Sequence, residues 1–471
     1  MKRIVVIGGG ITGLAAVHRL IERRSSPSYE ITLLEASSRL GGVIQTDRRD
    51  GFLLERGPDS FISEKPEAID LAKRLGLDSQ LIETNNEHRR SFIVRNARLR
   101  PVPEGFNLLA PSRLWPFVTS DIFSWTGKTR MAMDLLLPRR DKNGDESLAS
   151  FVRRRFGREA LERMAQPMVG GIYTADPERL SLRATMPRFL EMEREHGSVI
   201  RALWRKTRHT NEPSGTSGAR YSLFLSFEQG MQTLVDRLAE LVSSETVLMS
   251  TTAQSLRLDT NAGMWFLETS SRDSIVADAV CIALPAYAAA RLLRPTNSTL
   301  ADELEAISYA STATINLAYN RSEIPHQLDG FGFVVPFVEK RSLIACSFSS
   351  IKFAGRAPEG EVLLRAFVGG ALQPDVFQLE DAEMIRRARD DLKVLLGVDK
   401  TPFFSEISRW ARSMPQYEVG HLDRVNRIDD HLRSLDSLRL AGSAYTGAGI
   451  PDCIRSGERA ADELVSKLER S

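Results

Sequence analysis

Three glycines spaced Gly8-x-Gly10-x-x-Gly13, directly behind the apolar run from Ile4 to Ile7, restrict the fold more than any other feature of the chain. Residues 2–7 read as a short buried strand, and 14–23 as a helix with Leu14, Val17, Leu20 and Ile21 on one face. Residues 29–35 are β-rich again, so the chain opens as strand, glycine turn, helix, strand, the unit of a parallel sheet. Gly8 permits a sharp turn. Gly10 lets the main chain approach a pyrophosphate with no Cβ between them, and Gly13 lets the helix pack on the strand. The unspent amides at the helix start, at Ile11 and Thr12, then face the phosphates. Glu35 closes the second strand 22 residues after Gly13, where a carboxylate accepts from ribose hydroxyls. The combination points to a dinucleotide; a plain tight turn with an exposed Glu35 is the alternative.

The bulk numbers exclude several classes. The 471 residues suffice for two or three domains, and 63 basic against 61 acidic residues give no global case for nucleic acid. Cys281, Cys346 and Cys453 are far apart with no CxxC, and the seven histidines have no metal spacing. No disulfide framework and no metal are therefore expected, and a reducing cytoplasm fits. The first residues already read as a strand, leaving no room for a signal peptide, and no apolar run nears the ~18 residues of a membrane span.

Beyond residue 35 the periodicity changes. Residues 52–54 read as a strand before Arg56-Gly57-Pro58, and 67–75 as a helix stopped by Gly76. Residues 88–140 hold ten Lys/Arg against three Asp/Glu, interleaved with Trp115, Phe117, Phe123 and Trp125. This stretch reads either as an interfacial patch or as a helical subdomain with its aromatics inside. A helical pattern runs from 148 to 168, and 138–147 and 207–220 read as loops. Short β-rich runs fill 245–370 as a mixed or antiparallel sheet. Residues 381–396 are helical, 438–441 a last strand, and a helix closes the chain.

"EASSRLGG" (35–42) adds Ala36, Arg39 and the pair Gly41-Gly42 to the ribose carboxylate, which a nicotinamide enzyme does not need. It resembles the second fingerprint of the flavin amine oxidases, phytoene desaturases and porphyrinogen oxidases, where the segment runs under the FAD pyrophosphate. "ERGPDSF" (55–61), carrying Gly57, Pro58, Asp59 and Ser60, matches the place where that family's chain passes the isoalloxazine. "LAGSAYTGAGIPDCIRSGERAADEL" (440–464) matches its C-terminal flavin loop, with Gly442, Gly449, Ile450 and Pro451. A helix N-terminus there would stabilise an anionic reduced flavin. Cys453 lies in the porphyrinogen-oxidase pattern "IPDC", which implies a non-covalent FAD. Further segments, among them "GIYTADPERLSLRATMPRF", "GFGFVVP", "SFSSIKFAGRAP" and "RWARSMPQYEVGH", resemble the oxygen-dependent, FAD-containing protoporphyrinogen/coproporphyrinogen oxidases over nearly the whole chain.

The resemblance implies an α/β (mixed α+β) fold. A discontinuous Rossmann-like FAD-binding domain of the para-hydroxybenzoate-hydroxylase type would combine 1–87, 220–290 and 430–471. A mixed-sheet substrate domain would use 291–429, and a helical insertion 88–219. It implies oxidation of a porphyrinogen to its porphyrin by O2 in haem synthesis, with hydrogen peroxide released. Coproporphyrinogen III is favoured slightly over protoporphyrinogen IX. A flavin amine or carotenoid oxidoreductase, or a flavin-free binding protein on the same scaffold, is a more distant alternative. Lys65 is the candidate anchor for substrate propionates, its other reading being a solvated lysine. Val334 and Phe348 match macrocycle-facing positions, or are plain sheet core. Trp410 and the main chain at Ala253 match flavin-contacting positions. No catalytic base stands out. The expected partners are the porphyrinogen and O2, with hand-over to a ferrochelatase-type enzyme and peripheral membrane contact through 88–140 on the inner face of the cell membrane. The oligomeric state stays open.

Overall fold

The computed structural model describes residues 1–24, 29–140, 144–209, 224–243, 245–271, 274–435 and 437–470. The expected loop at 207–220 therefore lies largely outside the described residues, as do 141–143 of the loop at 138–147. The N-terminal unit is strand β1 (Lys2–Ile7), helix α1 (Ile11–Arg23) and strand β2 (Tyr29–Leu34), with β1 and β2 parallel as the glycine pattern requires. Three distant strands complete a five-stranded parallel sheet in the order Thr246–Leu248, β2, β1, Ala279–Ile282, Leu438–Leu440. Its central strands are apolar on both faces because one side is covered by helices and the other by a three-stranded antiparallel sheet, 253–277, with the helix Ala286–Leu293. On one side α1 packs with α2 (Ile450–Leu468), and a Cβ at Gly457 would lie 2.2 Å from Thr12 O, so only glycine lets the two helices approach.

A seven-stranded sheet forms the second layer, in the order Phe404–Pro415, Tyr309–Asn320, Glu361–Gly369, Leu343–Phe348, Gly332–Val334, Phe92–Arg95, Arg98–Pro101. It is mixed, since Gly332–Val334 runs parallel to Phe92–Arg95 while the other pairs are antiparallel. The hairpin 92–101 thus pairs with this sheet, although it lies inside the range expected to be a helical insertion. The strand Phe404–Pro415 was not legible. As an edge strand it carries Glu406, Arg409 and Arg412 among its residues and shows no apolar run.

Helices between 114 and 209 enclose a separate core that includes Phe106, Phe117, Phe123, Phe151 and Phe189. The two readings of the aromatic stretch divide by residue: Phe117 and Phe123 are buried, whereas Trp115 and Trp125 are 76% and 71% exposed. The helix expected over 148–168 is broken. It stops at Arg155, turns at Gly157 (φ +91°), and resumes through a π-helical turn at Leu161–Ala165 into Gln166–Tyr173. Gly157 makes the stop, its amide bonding back to Val152 O (3.0 Å) and Arg153 O (3.1 Å), and the Arg130 guanidinium takes the terminal carbonyls of Arg153, Arg154 and Arg155 at 2.8–3.1 Å. Asp134 and Arg155 form a fully buried pair in this layer, with Ser198 Oγ (2.6 Å) and the Ile200 amide (3.0 Å) also donating to Asp134.

Candidate functional site

At the C-terminal edge of the parallel sheet the glycines do separate jobs. Gly8 has φ +108°, and a Cβ on it would lie 2.5 Å from Ala283 O. A Cβ on Gly13 would lie 1.8 Å from Gly8 O, so α1 can sit on the turn only without a side chain there. Gly10 is different: a Cβ on it would meet nothing nearer than Gly42 Cα at 4.0 Å. Gly10 and the 41–42 turn lie side by side, joined by a backbone bridge from Gly10 to Gly41, and form the glycine-walled floor of a channel left open over Gly10. This floor is pinned by the Gly41 amide donating to Gly9 O at 2.8 Å and shaped by positive φ at Gly41 and Gly42. Gly10 caps α1 with no side-chain bond, and the first intrahelical bond is Leu14 N–H to Gly10 O. The amides of Ile11, Thr12 and Gly13 have no partner inside the helix and point along its positive end.

Glu35 borders this channel. One carboxylate oxygen accepts from the Gly9 amide and the other from the Ser37 amide, both at 2.7 Å, which leaves a lone pair on each for hydroxyls. Exposed Ala36 follows it. Arg39 spends its guanidinium on Leu40 O (2.9 Å), Ile44 O (3.1 Å) and Gly42 O, so it holds the glycine turn in shape. Ala253 is half-buried at the start of Ala253–Asp259, the strand that follows the 248–251 segment stitched to Glu35 and Ser37.

The 55–61 segment passes between that turn and the seven-stranded sheet. A Cβ on Gly57 would lie 1.7 Å from Val43 O, which fixes the close passage on one side. On the other, the sheet grips three successive carbonyls. Asn316 Nδ2 donates to Glu55 O at 3.3 Å. Thr314 Oγ1 and Trp410 Nε1 donate to Arg56 O at 3.0 and 2.9 Å, and Arg365 donates to Gly57 O. After half-buried Pro58, Asp59 accepts from Lys352 Nζ at 3.0 Å and from Ser60 Oγ at 2.7 Å. Burial alone would raise its pKa, but Lys352 and Arg365 outweigh it and hold the carboxyl well below the usual range. Glu55 goes the other way. Burial pushes it up to about 7, against hydrogen bonds from the Met231 amide and Thr46 hydroxyl at 2.8 Å each. Asn316, Arg365 and Lys352 were not singled out from sequence. Their signal is a polar residue inside an apolar strand or motif, which does not say what it will face.

The third wall is the 441–449 loop and the start of α2. Gly442 (φ +129°) donates to Ser456 Oγ at 3.0 Å, and Gly449 caps α2 with no side-chain bond. Ile450 and Pro451 open the helix, and Pro451 has no amide to leave unpaired. Behind them Asp452 is buried between Lys65 Nζ, 2.6 Å away, and the Arg455 guanidinium. Lys65, expected to stand ready for propionates, thus already carries an internal carboxylate, with its side chain 44% exposed. Val334 is half-buried beside Gly171 in the helical layer, at a place where sheet and helices meet. Phe348 does not line the site. It is wholly buried against Phe333 and His326, and a macrocycle could reach it only by repacking the core. Among the described residues no group of three or more His, Cys, Asp or Glu could hold a metal.

The family described as flavin containing amine oxidoreductase matches residues 11–465. The chain is 35% identical to a coproporphyrinogen III oxidase of Bacillus subtilis, covering 99% of this chain and 98% of that one. It is 28% identical to a chloroplastic protoporphyrinogen oxidase of Arabidopsis thaliana, covering 99% and 88%. Among solved structures it is similar to a chain from Exiguobacterium sp. 255-15, provisionally named a protoporphyrinogen oxidase. The TM-score is 0.87 and the identity 32%, over 99% of both chains.

Proposed function

Because the chain belongs to the flavin-containing amine oxidoreductases, in their porphyrinogen-oxidase branch, we propose that it oxidises coproporphyrinogen III to coproporphyrin III with O2 as acceptor. The observation that carries this reading is the end-to-end match to a coproporphyrinogen III oxidase, at higher identity than the plant protoporphyrinogen oxidase. Protoporphyrinogen IX is the second reading, favoured by the name of the structural relative.

The residues fit an FAD. The glycine floor is open over Gly10 where a Cβ would intrude on a phosphate, Glu35 keeps acceptor capacity for hydroxyls, and α1 and α2 both present uncapped N-termini. When bound, the flavin supplies a two-electron acceptor that O2 regenerates with release of hydrogen peroxide, three rounds completing the oxidation. The protein's part is to hold and orient. The sheet fixes the 55–57 carbonyls, Lys65 holds Asp452 behind the first turn of α2, and the α2 N-terminus favours negative charge before it. The FAD is non-covalent, since burial pushes the Cys453 thiol up to about 11 and keeps it protonated. Acid precipitation should release FAD into the supernatant, and oxygen uptake should approach three O2 per porphyrin; flavin left on the precipitate would overturn the non-covalent reading.

Peripheral membrane contact belongs to the helical layer. Leu114, Trp115, Trp125 and Leu136 are exposed, as on an interfacial face, while Lys128 turns inward beneath the Trp125 ring to donate to Val118 O at 2.7 Å. No helix among the described residues is long and apolar enough to cross a membrane. The porphyrin product would pass to an enzyme that inserts a metal.

A further inference from the structure

The 441–449 loop has no regular structure, yet it must hold one shape if α2 is to present its N-terminus to a ligand. What shapes it is the segment 416–421, which follows the strand Phe404–Pro415. That segment is itself fixed from three directions. Gln416 N–H donates to Ser308 O (2.9 Å), Ser181 N–H to Tyr417 O (2.7 Å), Val419 N–H to Arg179 O (2.8 Å) and Gly420 N–H to Asp145 Oδ2 (3.0 Å). From this base two buried side chains reach the loop. Tyr417 Oη donates to Ser443 O at 2.5 Å and accepts from the Gly447 amide at 2.9 Å. His421 Nε2 lies 3.0 Å from Tyr445 O. A carbonyl only accepts, so Nε2 carries the proton. The two rings stack with centroids 4.2 Å apart and planes 11° apart, which fixes each by the other.

The contacts fall on alternate loop residues, 443, 445 and 447. Gly447 has φ +154°, and a Cβ on it would lie 2.3 Å from Asp452 Cγ, so its amide is set by Tyr417 on one side and by the Lys65-bound Asp452 on the other. We propose that Tyr417 and His421 are positioning residues that hold the 443–447 backbone in the form that receives the flavin, so that cofactor affinity depends on side chains reaching over from the segment that follows the edge strand of the seven-stranded sheet. This rests on the flavin reading above. Neither residue needs to touch the cofactor; each acts through the loop.

The test uses the full chain stripped of flavin and titrated with FAD, read by quenching of flavin fluorescence, together with the flavin midpoint potential of the reloaded protein. Tyr417→Phe keeps the stack but leaves Ser443 O and the Gly447 amide unpaired, and should weaken FAD binding by about tenfold or more. His421→Phe keeps a ring but loses the donor and should weaken it similarly, whereas His421→Gln, which keeps an N–H near the same place, should recover part of the loss. Phe404→Leu, in a separate small core beside Phe52, serves as a control of comparable thermal destabilisation. Weakened binding and a shifted potential in the Tyr417 and His421 variants, but not in the control, support the proposal. Parent-like affinity and potential in those variants, or losses that merely track the melting temperature as in the control, overturn it. A parent chain that quenches no flavin would overturn the flavin reading and this inference with it, an outcome distinct from variants that fail alone.

Discussion

Glu55 and Asp59 sit in one motif and are pushed in opposite directions by their surroundings. Glu55 is raised from 4.5 to about 7, so its contribution to stability is fully present below 4.5 and is lost as pH rises through about 7. Asp59 is lowered, so its contribution is present above its ordinary 3.8 and is lost as pH falls. Glu55→Gln removes only the first dependence. The variant should gain up to roughly 2–3 kcal/mol over the parent at about pH 8 and much less at about pH 5, read by urea unfolding at both. An equal change at both pH values would mean that Glu55 is not raised. At this scale the sequence was legible for backbone-defined residues: Gly8, Gly13 and Gly57 are where a side chain has no room. It was poorly legible for side chains whose partners come from elsewhere. Nothing near Lys65 announces Asp452, 387 residues away, and Phe348 could not be told from a site residue because core and macrocycle ask for the same apolar ring.

Among elements, the turn between β1 and α1 separates folding from binding within four residues. Gly13→Ala would set a Cβ against Gly8 O and should destabilise even the flavin-free chain, by about 3 kcal/mol or more. Gly10→Ala has φ −71° and open space. It should leave the flavin-free melting temperature nearly unchanged while weakening FAD binding by about a hundredfold. Melting curves and FAD titrations of both variants test the pair, and equal stability losses would contradict the assignment of the channel. In the helical layer, Asp134→Ala leaves buried Arg155 with only the more distant Glu193 carboxylate at 3.5 Å and should cost about 3 kcal/mol, checked by chemical denaturation. These elements were readable where the apolar period was intact, as in Asp381–Leu396, which matches the expected bounds. They were missed where tertiary contacts overrode it. Arg130 packs against Gly157 and caps the helix that begins at Leu148, and the edge strand Phe404–Pro415 draws its order from pairing with Tyr309–Asn320.

For the whole molecule, the parallel sheet and the seven-stranded sheet meet along the 55–61 segment, which places the expected cofactor channel against the seven-stranded sheet. The helical layer adds a face with exposed Trp115, Trp125 and Leu136. Trp115→Ser with Leu136→Ser should reduce co-sedimentation with vesicles containing about one-third anionic lipid several-fold while leaving porphyrinogen oxidation in solution unchanged. Unaltered sedimentation would remove the membrane contact. The sequence carried the family because its motifs are spread from end to end. It carried the substrate weakly, because exchanging two propionates for two vinyls changes only the rim of a flat slot. The most direct measurement is therefore porphyrin fluorescence after adding purified protein, in air, to coproporphyrinogen III and separately to protoporphyrinogen IX, against autoxidation controls. The account predicts oxidation well above autoxidation with a clear preference for coproporphyrinogen III. A preference for protoporphyrinogen IX would contradict the substrate, and a yellow protein with no rate above autoxidation on either would contradict the porphyrinogen oxidase reading itself.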